Sequence, residues 1–166
     1  MRLWRLYLVT ILVLILQIGF IPALRPFGVV PDLALALVVS VGLAGTASAA
    51  LAVAVAGGLL LDLTSGADFG LRLGLFALVA LVTGLVHRAG LNLMGPVVAL
   101  ALVAAATLLG DLVVLANIAG TVGAWPIGEL LRRLTVEIML NLGLTLLLRP
   151  LVNWAVASDG GMVSLG

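Results

Sequence analysis

Few residues in this chain could do chemistry, and most of them sit in strongly apolar surroundings. The longest polar series is Glu129, Arg133, Glu137, Asn141, Thr145 and Arg149, one at every fourth position of a leucine-rich segment that contains "LLRRLTVEIMLNLGLTLLLR". Four-residue steps drift by about 40° at 3.6 residues per turn, so the ridge winds around its helix while Arg133 to Asn141 stay on one face. Glu129 with Arg133, and Arg133 with Glu137, have the spacing of intrahelical ion pairs. The same face could instead be a seam towards other helices or towards a partner. Asp111 lies roughly 12 Å before the loop that leads to this segment, and Arg133 and Glu137 lie about 7 Å and about 13 Å beyond that loop. A short connection makes the two helices antiparallel neighbours. Asp111 is therefore expected to pair with Arg133 or Arg132. The alternative is that Asp111 and Glu137 meet at equal depth and share a proton or cation, as carboxylates do in transporters.

A second polar group is "GLLLDLTSGADFGLRLG", residues 58–74. Thr64, Ser65 and Gly66 should stop one helix, with Gly66 suited to a left-handed conformation. Asp68 is placed to cap the next helix, and Gly66 and Gly70 to allow close backbone packing. Asp62 falls one turn inside a helix C-terminus, where a carboxylate is unfavourable, so it needs a hydrogen-bond or arginine partner. Other chemistry is hard to build. There is no cysteine, and the one histidine, His87, stands beside Arg88 at a helix end. No paired-histidine, phosphate-loop, nucleophile-elbow or dinucleotide fingerprint occurs. The expectation is no catalytic residue, no cofactor, no metal and no enzymatic activity.

The elements that must position these residues are membrane helices. Of 166 residues 64% are hydrophobic and 9% charged, against roughly a quarter charged in a soluble domain. A net charge of +1, with no basic cluster larger than Arg132 and Arg133, argues against a nucleic-acid partner. The first span, residues 3–21, follows a basic start but is too long for a signal-sequence core and lacks a cleavage site, so it reads as a retained anchor. Residues 22–32, "PALRPFGVVPD", form a loop with three prolines, and Asp32 is a credible N-cap for the next helix. Residues 33–61 carry no charge and would make roughly 43 Å of helix, which overshoots a ~30 Å hydrocarbon core. A break is expected at residues 42–46, where Gly42 and Gly45 can turn the chain. The helix that follows, with Ala44, Ser48, Ala52 and Ala56 beside Ala50, Ala54 and Gly58, should be a packing helix. Three more spans are expected, over residues 71–86, 96–119 and 129–149, the last ended or kinked by Pro150. One helical membrane domain, residues 1–157, then precedes a flexible tail at 158–166.

Six spans put four arginines on each side, whereas five spans would put five against three. Span length favours six. Arg2 and Arg5 before the first span favour a cytoplasmic N-terminus.

The pattern G-x-x-x-D-x-x-S-G-x-x-x-G, carried by Gly58, Asp62, Ser65, Gly66 and Gly70, gives these elements a familiar form. With "PDLALALVVSVGL" at 31–43, Asn141 in the last helix and the "LRPLV" ending at 148–152, the chain resembles the rod shape-determining MreD family over nearly its whole length. That resemblance implies a non-enzymatic component of the bacterial cell-elongation machinery in the inner membrane. It implies direct binding to MreC, and through it association with MreB, RodA and a class B penicillin-binding protein, regulating peptidoglycan synthesis. It also implies an all-α bundle of six transmembrane helices related to the S-components of vitamin transporters. A small-molecule-binding transporter subunit is therefore the alternative. The first span, "LWRLYLVTILVLILQIGFI", lacks the small residues at four-residue spacing that S-components commonly use for docking. On this reading Asp32, Gly58, Asp62, Gly66, Asp68, Gly70, Asp111, Arg133, Glu137 and Asn141 are structural or partner-interface residues. The small-residue helix also leaves room for a homodimer.

Overall fold

A computed structural model of the chain describes residues 3–24, 26–65, 70–90, 95–119 and 127–157, and every regular element among them is helical. Helix α1 (Leu3–Gly19) leads into a single-turn helix α2 (Ile21–Leu24) and a 3-10 turn (Pro26–Gly28). The remaining helices are α3 (Leu33–Ala44), α4 (Ala47–Ser65), α5 (Leu71–Arg88), α6 (Gly95–Ala119) and α7 (Ile127–Val156). With α2 set aside as part of a connection, six long helices remain. Four apolar stretches are long enough to cross a membrane: Trp4–Ala23, Ala47–Thr64, Leu71–Arg88 and Leu131–Val156. The protein is thus all-helical and built for multiple membrane crossings.

The shortest of the six organises the rest. Helix α3 packs against α1, α4, α5, α6 and α7, and all of it from Leu33 to Leu43 is buried. Its sequence, "LALALVVSVGLA", is apolar on every side, as a helix enclosed by others must be. At 12 residues it is roughly 18 Å long, little more than half of a ~30 Å hydrocarbon core. Its two ends meet the two ends of α5, at Arg72 and at His87, and the polar backbone groups that a helix terminus leaves open find partners there.

The C-terminal end is closed locally. The Gly45 amide donates to the Val41 carbonyl at 2.8 Å, and the Leu43 carbonyl lies 2.8 Å from His87 Nδ1 on α5. His87, expected as an interfacial cation, is a tie between two helices. The chain then turns at Gly45 and Thr46, and Thr46 Oγ1 accepts from the Ala49 amide at 3.3 Å, which caps α4. The break falls in the expected window, but Gly42 does not make it. Gly42 is inside α3, where a side chain would run into Thr83 of α5.

Three other expectations are corrected. Pro22 lies inside α2, and Pro150 lies inside α7, which continues to Val156. Pro22 occupies the first turn of its helix, where a missing N–H is harmless. Pro150 is exposed. Of the small residues on α4, Ala50, Ala54 and Gly58 are buried, whereas Ser48, Ala52 and Ala56 are exposed. Gly66, Asp68 and the tail at 158–166 lie outside the described residues, as does the Glu129 side chain.

The two chain ends meet. The Arg5 guanidinium sits 4.7 Å from the Trp154 ring centre and 5.8 Å from that of Trp4, and its Nη1 lies 3.5 Å from the Trp154 carbonyl oxygen. Cation–π stacking of this kind suits a membrane–water boundary.

Candidate functional site

The N-terminus of α3 is the most polar place inside the bundle, because each of its open amides draws a side chain to it. The Leu33 amide donates to Oε1 of Gln17 on α1 at 2.7 Å, and Gln17 Nε2 donates to the Pro31 carbonyl at 3.2 Å. The Asp32 amide donates to Oδ1 of Asn141 on α7 at 2.7 Å, and Asn141 Nδ2 donates to the Thr107 hydroxyl on α6 at 2.9 Å. Asp32 itself caps the helix, its Oδ1 accepting from the Leu35 amide at 2.9 Å. Its Oδ2 faces Nη1 of Arg72 on α5 at 3.6 Å. Gln17, Thr107 and Asn141 are buried. One helix terminus is thus tied to α1, α5, α6 and α7 by side chains of matched donor and acceptor character. Each such bond contributes about 1 kcal/mol net, and leaving one amide unsatisfied costs about 1–3 kcal/mol.

Next to it lies the junction formed by the 58–74 segment. Asp62 is buried near the end of α4, and its carboxylate takes up the backbone of the α5 start. Oδ2 accepts from the Gly70 amide at 2.9 Å and the Leu73 amide at 3.1 Å, and Oδ1 accepts from the Arg72 amide at 3.1 Å. The carboxylate thereby sits at the positive end of the α5 dipole, which more than offsets its position at the end of α4. Gly58, one turn earlier, makes this possible: a Cβ there would stand 2.6 Å from the Leu73 Cα. Gly70 serves differently from the expectation of close packing. A Cβ on it would meet open space, but its φ of 95° is a left-handed conformation that favours glycine. Among the described residues, Asp62 from the neighbouring helix caps the α5 start, and the cap expected of Asp68 lies outside them.

Between these junctions is a cavity of about 70 Å³, lined on its polar side by Asp32, Arg72, Thr107, Asp111, Glu137 and Asn141. Asp111 and Glu137 do converge, as the shared-carboxylate alternative required. The cation that acts on both is Arg72. The pairing of Asp111 with Arg133 or Arg132 is not formed: Arg133 is exposed, and Arg132 reaches towards the Phe27 carbonyl at 3.5 Å. On α7 the ridge turns inward from Glu137 through the buried Asn141 and Thr145. The space has room for a few water molecules. No group of three or more His, Asp or Glu among the described residues is arranged to hold a metal ion.

Sequence reasoning brought out Asp32, Asp111, Glu137 and Asn141 but missed Gln17 and Thr107, and it gave Arg72 no part in this cluster. Gln17 is the only amide side chain in the first span, which was a usable signal. Pairing α5 and α6 as antiparallel neighbours would have set Arg72 beside Asp111.

The comparisons with known proteins found no match. That holds for protein-family models, for characterised proteins and for solved structures.

Proposed function

We propose that this protein is a non-enzymatic scaffold of the bacterial cell-elongation machinery, of the MreD kind, that clasps the membrane anchor of MreC in the inner membrane. On this reading it acts on peptidoglycan synthesis only by holding MreC, and through MreC the MreB, RodA and class B penicillin-binding components, in place. Its six long helices would follow the arrangement of the vitamin-transporter S-components, without their ligand. The observation that carries the reading is the use made of the G-x-x-x-D element. Gly58 admits the α5 backbone and Asp62 takes three of its amides, so the most distinctive residues of the chain build a rigid helix junction and leave no reactive group exposed.

The size of the polar cavity supports the same reading. A ligand pocket for a vitamin-sized molecule occupies ~300–1,000 Å³, and this space is about 70 Å³. The test is co-purification from native membranes in mild detergent together with depletion in a rod-shaped host. MreC should co-purify, and depleted cells should round up. A protein that purifies without MreC, or whose loss leaves rods unchanged, refutes the proposal. Saturable binding of a small molecule, abolished by Asp111→Asn, would establish the transporter reading in its place.

A further inference from the structure

Asp111 and Glu137 stand apart from the other polar groups at depth. Asp32, Asp62, Asn141 and Gln17 each hold a backbone amide. Among the described residues, neither Asp111 nor Glu137 makes a hydrogen bond or an ion pair. The cavity they line brings three carboxylates against one guanidinium, and that guanidinium, Arg72, is within ion-pair distance of Asp32. An unmatched charge inside a membrane helix bundle is unfavourable. With its carboxylates ionised the site carries an excess of negative charge. One or two added positive charges would balance it.

The cavity does not end at its polar wall. Leu75 of α5 and Ala106 of α6 also line an apolar groove that runs along the outside of the same two helices, between Leu78 and Val82 on one side and Leu102 and Ala105 on the other. Helix α5 packs broadly on α3 and α4 but meets α6 along a much thinner seam. Ala105 and Leu78 are exposed. Alanine at such a seam lets another helix approach closely, which is how helices associate in lipid. Apolar groove and acidic cavity are thus neighbours that share Leu75 and Ala106, and the acidic end lies one turn inside the start of α5.

We propose that the α5–α6 groove is the docking surface for a single membrane-spanning helix of a partner protein, apolar along the contact and bearing one lysine or arginine that enters between Asp111 and Glu137. The inference rests on the scaffold reading above and specifies the surface and the chemistry by which the partner is held. A basic residue on the partner's anchor would satisfy two carboxylates at once, so both proteins gain by meeting in the membrane. The groove floor, with Ala105 and Ala106, sets how closely the partner backbone approaches.

A photo-cross-linking residue placed at Ala105, and in a second chain at Leu51 on the exposed face of α4, tests this in full-length protein co-expressed with MreC in native membranes. MreC should cross-link through Ala105 and not through Leu51. The shape-conserving double variant Asp111→Asn with Glu137→Gln should lower the Ala105 yield by about tenfold or more, the equivalent of 1.4 kcal/mol, while the protein still elutes as a single detergent species. Replacing Asp111 by lysine should abolish the cross-link, and a compensating acidic residue in the anchor of MreC should restore it. Capture of MreC through Leu51 alone overturns the groove and leaves the scaffold reading standing. Capture from neither position in a folded protein overturns the groove, and failure of MreC to co-purify from the same membranes overturns the scaffold reading with it. A cross-link to phospholipid alone at Ala105 shows a lipid in the groove and overturns the docking proposal.

Discussion

At the scale of single residues, the polar side chains inside this bundle are explained by the backbone groups they close. Asp62 is the sharpest case, since three amides of the α5 start converge on its two carboxylate oxygens. Asp62→Ala would leave those amides without an acceptor at a buried position, each worth about 1–3 kcal/mol. The variant should lose at least about 3 kcal/mol of stability, seen as a large drop in the melting temperature of the detergent-purified protein; an unchanged melting curve would show that water or another group replaces the carboxylate. Asn141→Leu tests the other junction, because it leaves the Asp32 amide and the Thr107 hydroxyl without their partner. A loss of about 1–3 kcal/mol is expected there. Glu137→Gln should by contrast not destabilise the bundle, since its carboxylate holds none of the described backbone. These three substitutions separate residues that build the bundle from residues free to recognise something else.

At the scale of helices, the sequence foretold more about where elements end than about which way they face. The cap at Asp32, the break after Ala44 and the partner needed by Asp62 were all legible, because proline, glycine and carboxylates act locally on the chain. Helix orientation was not. In lipid the outside of the bundle is as apolar as its inside, so leucine and alanine do not mark a core face as they would in water. For that reason Ala52 and Ala56 could not be told from Ala50 and Ala54. Pro150, expected to end or kink α7, does not end it, and the helix continues to Val156. Packing distance is the part of helix geometry that can be tested directly. Gly58→Val would force a side chain against the α5 backbone, and overpacking of this kind costs about 1–3 kcal/mol. Ala56→Val, on the exposed face of the same helix, should change the melting temperature by far less. Equal effects would show that the α4–α5 contact is not close.

At the scale of the whole molecule, the arrangement follows from one short central helix whose two ends are tied to the helices around it. Gln17, Asn141 and Arg72 gather at its start and His87 at its finish, so α1, α5 and α7 are held in register by the helix they enclose. The contact of Arg5 with Trp154 closes the bundle at the chain ends. An even number of crossings puts the two ends on one face of the membrane, whereas a continuous helix over residues 33–61 would have put them on opposite faces. The lack of cysteine in the chain makes that difference directly measurable. Single cysteines at Phe27, which is 76% exposed in the α1–α3 connection, and at Ala157, just beyond α7, should react with a membrane-impermeant maleimide from opposite sides. Labelling of both from the same side would require five crossings. It would separate Arg5 from Trp154 across the bilayer, and so undo the closure that the central helix imposes.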